Sequence, residues 1–484
     1  MSDRAQESLN KALGLENEYC FREAKVIYED LKKNTIAEHI TQVVDFRLED
    51  MDNLISEKET YQRIHDNSKK VLSEIGMNIS ESAELMEILM EADAIDFEKE
   101  SAVFIPIKEA YIDHCLEKCP RNWSGDPGKN TFGTGATPPF LKRVGENELR
   151  QATCSEFEDI VRSVARNEDM IGIFSLPVAT DKSITAYEVA QLMEKGYSGL
   201  KMTATKGFSD DEMNYLVGKD HWVDGTSLIT SFSPMSTMVS PFLRSARSGA
   251  NLLLLDLTMA GSSGPGSPEA LLTQIHAQVL FMMVVAQTVN PGVLCLHGGI
   301  PGVTEAGGDL SYSSTHQPLI NAAMARVNTW ISKLPSAQSG GSTSIAELTS
   351  EAVFESELSR NTLRKYGVHI IRHAMGAMGS LNFFSLEKFE EDCERERKNL
   401  KLFSQAPVDK GIIPLYTPVD REAMEGIKEI AEKGGPKNAE HTLRNVDSFI
   451  LWEKTINKAA ENKLYYPNIN DTVIEMIGKG VMVP

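Results

Sequence analysis

At 484 residues the chain exceeds what one hydrophobic core usually organises, so it can bury a sizeable core and still carry additions. Its 41% hydrophobic and 24% charged content is ordinary for a globular protein. A net charge of −20 argues against nucleic acid or an anionic membrane as partner, since both call for clustered Lys and Arg.

The opening residues, Met-Ser-Asp-Arg-Ala-Gln-Glu, carry no apolar signal core, and no run approaches about 18 apolar residues, so a cytoplasmic location is expected. Residues 1–125 read as an N-terminal helical region. Amphipathic spacing recurs over Ile36–Leu54, Tyr61–Ile75 and Ala83–Ala92, and Val103–Pro106 is a short strand candidate. Asn122–Pro139 is rich in Gly, Pro and Thr and marks a boundary. Six cysteines are too few for a disulfide framework. Cys115 and Cys119, four apart beside His114, lack a second ligand pair and read as core residues, so no metal site is expected.

Over residues 126–384 strands and helices alternate. The strand candidates are Thr131–Thr134, Met170–Leu176, Leu200–Thr203, Ser227–Ser231, Leu252–Leu257, Val293–His297, Pro335–Gln338 and Val368–His373. Helical patterns at Glu156–Arg166, Ala186–Lys195, Pro241–Ser248, Pro268–Val289, Ile320–Ile331 and Thr349–Lys365 separate most of them. The clearest unit starts at the apolar run Leu252–Leu255, breaks at Gly261–Gly266, and restarts at Ser267-Pro268-Glu269, a cap, a proline and an acid in helix-start order. Asn290-Pro291-Gly292 then stops the helix before the next strand. About eight such alternations fit a (β/α)8 TIM-type barrel, with chemistry at the strand carboxyl ends. Residues 385–484 return to charged helical patterns at Leu386–Leu402, Arg421–Lys433 and Glu440–Lys458.

Barrel logic selects the candidate chemistry. His297, before Gly298-Gly299, and His373, before Met375-Gly376, each close an apolar run where a side chain can face a ligand or sit satisfied beneath a loop. Lys201 is either a Schiff-base amine or a buried stem with a solvated head. Phe174, Phe232 and Tyr312 fall near expected strand ends and Phe354 follows the Gly340-Gly341 block; the four could form an aromatic pocket for a cationic head, although barrel aromatics also serve as packing. Tyr187 and Trp330 fall in the same neighbourhood. No phosphate-binding loop or nucleophile elbow occurs, and Gly261–Gly266 is too loose for a dinucleotide fingerprint.

Several blocks resemble the trimethylamine methyltransferase family. They are Phe132-Gly133-Thr134-Gly135, Ser227–Ser236, Leu257–Pro265, Gln274–Gly292, Gly340-Gly341-Ser342-Thr343 and His441-Thr442-Leu443-Arg444. Met259-Ala260-Gly261 and Val289-Asn290-Pro291-Gly292 are the most specific of these, and the resemblance runs from about Tyr61 to Arg444. It implies a (β/α)8 barrel that moves a methyl group from an amine to the Co(I) of a partner corrinoid protein. Two departures bear on the substrate. Archaeal members of the family carry pyrrolysine shortly after the Gly-Gly block, whereas Ser344–Ala352 holds standard residues only. Where members often read Met-Asp-Met-Arg-Thr, this chain has Val303-Thr304-Glu305-Ala306-Gly307.

The first departure implies the non-pyrrolysine branch, acting on quaternary amines such as glycine betaine; the second leaves the substrate contacts open. The resemblance implies a cobamide carried by a partner, with no tightly bound cofactor in this chain, which also lacks an Asp-x-His-x-x-Gly corrinoid motif. The partner is expected over the barrel mouth, at the loops after Ser233, Leu257 and His297. Gly261, Gly264, Gly298 and Gly299 are the expected cofactor-facing positions, with Gly302, Gly307 and Gly308 nearby. A Schiff-base lyase built on Lys201 and a non-catalytic betaine-binding protein stand as the alternatives, and homo-oligomerisation stays open.

Overall fold

The structure, a computed structural model, describes residues 2–403 apart from 35–37, 98–103, 124–130, 136–137, 147, 227–228, 231, 305–310, 313–315 and 369. The expected helices Arg421–Lys433 and Glu440–Lys458, the His441–Arg444 block, and Glu305, Gly307 and Gly308 lie outside the described residues.

Eight parallel strands close into a barrel. They are β1 (Thr131–Thr134), β2 (Ile173–Ser175), β3 (Leu200–Thr203), β4 (Trp222–Thr226), β5 (Leu252–Leu254), β6 (Cys295–Gly299), β7 (Ser336–Ser339) and β8 (Ile370–Met375). Each pairs with the next in sequence, and β8 returns to β1, so the sheet has no edge. Seven fall on the expected segments. The fourth is displaced: Trp222–Thr226 forms the strand in place of Ser227–Ser231, while Ile229–Thr230 pairs with Ser233–Pro234 as a short hairpin.

Asp224-Gly225 reads as a turn pair in sequence. Folded, Asp224 is buried on the outer face, where its carboxylate accepts from Thr205 N–H at 3.0 Å and from the hydroxyls of Thr205 at 2.8 Å and Ser245 at 2.5 Å. Gly225 faces the lumen, where a Cβ would come within 3.2 Å of Met202 Sδ.

Side chains alternate across the barrel wall. Ile173, Leu200, Met202, Val223, Leu253, Leu296, Ala337 and Ile370 fill the lumen. Phe174, Leu252, Leu254, Cys295 and Ile371 pack outward against helices. The helices after β1, β2 and β3 are α6 (Cys154–Arg166), α7 (Ala186–Gly196) and α8 (Asp210–Leu216). Each opens with a reciprocal capping box, Thr153/Glu156, Thr185/Glu188 and Ser209/Glu212, which fixes where the chain turns back along the barrel. The later surrounding helices are α9 (Ser236–Ser248), α10 (Pro268–Val289), α11 (His316–Arg326), α12 (Ser350–Lys365) and α13 (Leu386–Phe403).

An N-terminal set comprises α1 (Ser2–Asn17), α2 (Phe21–Asn34), α3 (Glu38–Lys70), α4 (Ala83–Glu91) and α5 (Glu109–Lys118). Its members α3, α4 and α5 pack over α10. This explains the character of α10, which is apolar nearly all round: one side meets the barrel and the other meets helices. By length and composition α10 could cross a membrane, but every residue from Pro268 to Gln287 is buried inside the protein.

Short strands brace the carboxyl-end rim. Met259–Ala260 pairs with Gly302–Val303, joining the loops after β5 and β6. Phe140–Leu141, Phe383–Phe384 and Ala377–Met378 join the loops after β1 and β8.

Candidate active site

The carboxyl ends of β7 and β8, with the loop after β6, bring polar side chains to the top of a largely apolar lumen. Ser339 ends β7 two positions after the lumen-facing Ala337, and it lies opposite Arg372 of β8. Its Oγ is 2.7 Å from Tyr312 Oη and 2.7 Å from His373 Nδ1. All four side chains are buried. His373 has φ +59°, where β8 departs from regular register against β1. That kink turns the imidazole toward Ser339, although strict alternation would send it outward.

Arg372 follows Ile370 on the lumen-facing side, and its Nη2 donates to Gly299 O at 2.7 Å at the end of β6. Burial lowers its pKa to about 10, with Tyr312 acting in the opposite sense, so the guanidinium remains charged at neutral pH. Burial, aided by the nearby Arg372 charge, holds His373 well below the usual imidazole value and so neutral. Burial moves Tyr312 upward, so its phenol stays protonated.

Neighbouring elements fix this cluster. Asn321 Oδ1 accepts the Ser339 N–H at 3.0 Å, and Gln317 Nε2 donates to Ser339 O at 3.1 Å, so α11 clamps the end of β7. Ser344 Oγ accepts the Tyr312 N–H at 2.8 Å. Glu355, in α12, accepts from Thr343 Oγ1 at 2.6 Å and Ser344 N–H at 3.2 Å. The loop after the Gly-Gly block therefore positions Tyr312. Behind the wall, Asp256 accepts from Thr258 N–H and Gln278 Nε2, and burial raises its carboxyl to about 7.

The structure unites Tyr312 and His373 and separates the other candidates from them. His297 follows the lumen-facing Leu296 and points outward, with its Nε2 2.9 Å from His276 Nδ1 on α10. It thus belongs to the barrel–helix layer. Phe174 likewise faces outward, edge-on to Tyr197 at 6.0 Å. Phe232 is buried among α9, α10 and N-terminal residues, and its backbone N–H donates to Gln278 Oε1 at 2.8 Å. Phe354 is half-buried near the start of α12.

Among the expected cofactor-facing glycines, Gly261 alone has open space where a Cβ would stand. At Gly264 that Cβ would meet Thr258 Cγ2 at 2.5 Å, at Gly298 it would meet Leu253 Cδ1 at 2.8 Å, and at Gly299 Pro301 Cδ at 3.1 Å. These three serve close packing in place of a cradle. Lys201 faces outward near the amino end of β3, with Nζ 2.7 Å from Gly199 O and 3.5 Å from Glu194 Oε2. An amine so placed cannot meet a substrate at the mouth.

Sequence reasoning missed Arg372 and Ser339. The available sign was an arginine inside the apolar run Val368–His373, because strands buried on both faces rarely hold an arginine without a task.

Residues 29–462 match the family described as trimethylamine methyltransferase (MTTB). A glycine betaine methyltransferase from Desulfitobacterium hafniense (strain Y51) is 22% identical over 420 residues, covering 81% of this chain and 84% of that protein. Among solved structures, the monomethylamine methyltransferase of Methanosarcina barkeri shows 11% identity and a TM-score of 0.31, covering 77% of this chain and 97% of its own. A dihydropteroate synthase from Xanthomonas albilineans shows 10% identity and a TM-score of 0.36, covering 58% and 100% respectively.

Proposed function

The chain belongs to the trimethylamine methyltransferase family, and from that premise we propose that it demethylates a quaternary amine, glycine betaine or a close relative. The methyl group goes to the cobalt of a corrinoid held by a separate partner protein, and a tertiary amine is released. The observation that carries this reading is the content of Ser344–Ala352, which holds standard residues only, in the loop that positions Tyr312. The glycine betaine methyltransferase similarity supports the same substrate class.

The chemistry is consistent with that class. The C–N bond breaks with its electron pair staying on nitrogen, so a quaternary cation departs as a neutral amine and needs no proton. Neutral His373 and the protonated Tyr312 phenol are suited to orienting a ligand rather than to delivering charge. The aromatic face of Tyr312 would hold the cationic head without binding it so tightly that transfer is opposed. The corrinoid, when docked, supplies the nucleophile; this chain supplies position and exclusion of water.

The direct test is methylation of reduced free cobalamin, followed by absorbance, across glycine betaine, other betaines, choline and trimethylamine. Conversion with a betaine, accompanied by its demethylated product, is expected. Conversion with trimethylamine alone would refute the quaternary assignment.

A further inference from the structure

Arg372 differs from the other large buried cations of this protein. Arg326 is paired with Glu57, Arg364 with Glu396, and Arg360 with Asp392 at 3.1 Å. Arg372 is only 1% exposed, yet no carboxylate lies within ion-pair distance among the described residues. Its Nη2 has the Gly299 carbonyl, and its Nε has no partner among the described residues. A guanidinium carries five N–H donors and a full charge, and burying it unpaired is costly. A second such group lies on the same inner surface: Ser175 Oγ, two positions after the lumen-facing Ile173, is buried and has no hydrogen-bond partner among the described residues. The strands carrying Ser175 and Arg372 flank β1, whose Gly133 puts no side chain between them. A Cβ there would stand 3.4 Å from Arg372 Cα and 2.8 Å from Ile173 Cγ2.

We infer that Arg372 receives the carboxylate of the substrate, with Ser175 Oγ as an additional donor, so that the enzyme selects small quaternary amines bearing a carboxylate close to the nitrogen. This assignment rests on the methyl-transfer reading and sharpens it. A fork of parallel N–H donors matches a carboxylate, and in a dry lumen the pairing is charge-assisted. It also sets direction. With the carboxylate anchored at Arg372, below the rim, the trimethylammonium end points toward the mouth, where Tyr312 stands and a partner could approach. Arg372 is thus a specificity and positioning residue.

Calorimetric titration of the full chain tests this with three probes: glycine betaine, choline (cation without carboxylate) and 3,3-dimethylbutyrate (carboxylate without cation). The parent should bind glycine betaine roughly 100-fold more tightly than choline and should also bind 3,3-dimethylbutyrate. Arg372→Gln should lose most of that preference, leaving the betaine and choline affinities within about tenfold of each other, whereas Arg372→Lys should retain part of it. Equal affinity of the parent for betaine and choline would overturn the assignment, as would an Arg372→Gln protein that keeps the preference. Should the Gln variant not fold, the parent panel decides alone. The two readings fail separately. Carboxylate selectivity without methyl transfer to cobalamin or to a corrinoid protein would sink the reaction and leave Arg372 assigned. Methyl transfer as efficient from choline as from betaine would do the reverse.

Discussion

A serine hydroxyl has one proton to give, and Ser339 Oγ stands 2.7 Å from both Tyr312 Oη and His373 Nδ1. Two arrangements satisfy all three groups. In one, Tyr312 donates to Ser339, Ser339 donates to Nδ1, and Nε2 of the neutral imidazole carries the hydrogen. In the other, Nδ1–H donates to Ser339, Ser339 donates to Tyr312, and the phenol O–H is free to donate to a ligand. Tyr312→Phe removes one hydrogen bond but keeps the ring, so it should cost about 1 kcal/mol of stability. Betaine affinity should change less than about tenfold, because the cation–ring contact persists. Tyr312→Leu should weaken betaine binding about 5- to 30-fold, the equivalent of a partly desolvated cation–ring contact. Phe174→Leu and Phe232→Leu, in folded protein, should leave binding unchanged, since both rings lie in outer layers. Titration of the four variants checks this, and a loss at Phe174 or Phe232 matching that at Tyr312→Leu would place the pocket elsewhere. Sequence could not separate these aromatics because β2 is buried on both faces, and an unbroken apolar run does not tell which residues face the lumen.

A buried histidine relay runs through α10, whose His276 bridges His65 of α3 at 2.8 Å and His297 of β6 at 2.9 Å. Burial lowers His65 to about 4 and His297 to about 3, and it pushes His276 well below its usual value with both neighbours adding to the effect. In the unfolded chain these rings titrate near 6.5. As pH falls below that value the unfolded chain binds more protons than the folded one, so stability drops toward the folded pKa values. Asp256 and Glu57 act oppositely. Burial raises both to about 7, so they favour the folded state most below about pH 4 and progressively less up to 7. His276→Gln keeps a donor and an acceptor but cannot titrate. Between pH 6 and 4.5 it should flatten the stability slope by up to about 1.4 kcal/mol per pH unit, the limit set by one proton, read from urea unfolding. An unchanged slope would mean that His276 does not contribute. Element order was legible where local chemistry was strong: Ser267-Pro268 starts α10 and Asn290 ends it as expected. The direction of His297 was not, because Cys295–Gly299 is buried throughout and offers no polar alternation to set the phase. The fourth strand was misplaced for the opposite reason, since Asp224-Gly225 imitates a turn until Thr205 and Ser245 supply its partners.

At the scale of the whole molecule, the outer helices cover the barrel wall over α10, while the carboxyl-end rim is braced by short strands and carries apolar side chains to its surface. Leu257, 48% exposed, lies in the loop after β5; Val144, 60% exposed, and Leu149, 44% exposed, lie in the loop after β1. In a closed barrel of eight strands taken in order, β1 and β5 are on opposite sides of the mouth. A partner presenting a large planar corrinoid to a methyl group in that mouth would touch both loops at once. Such a partner must also leave to pass the methyl onward, which suits a modest interface of about 1,200 Å² or less. Methyl transfer to the protein-bound corrinoid should therefore be much faster than to free cobalamin at equal, subsaturating concentration. Leu257→Asp and Val144→Asp should each slow the first rate severalfold and leave the second unchanged, because neither side chain lies in the lumen. If both acceptors react at the same rate, or if the Asp variants slow both equally, the rim is not a docking surface and the partner must approach the methyl by another route.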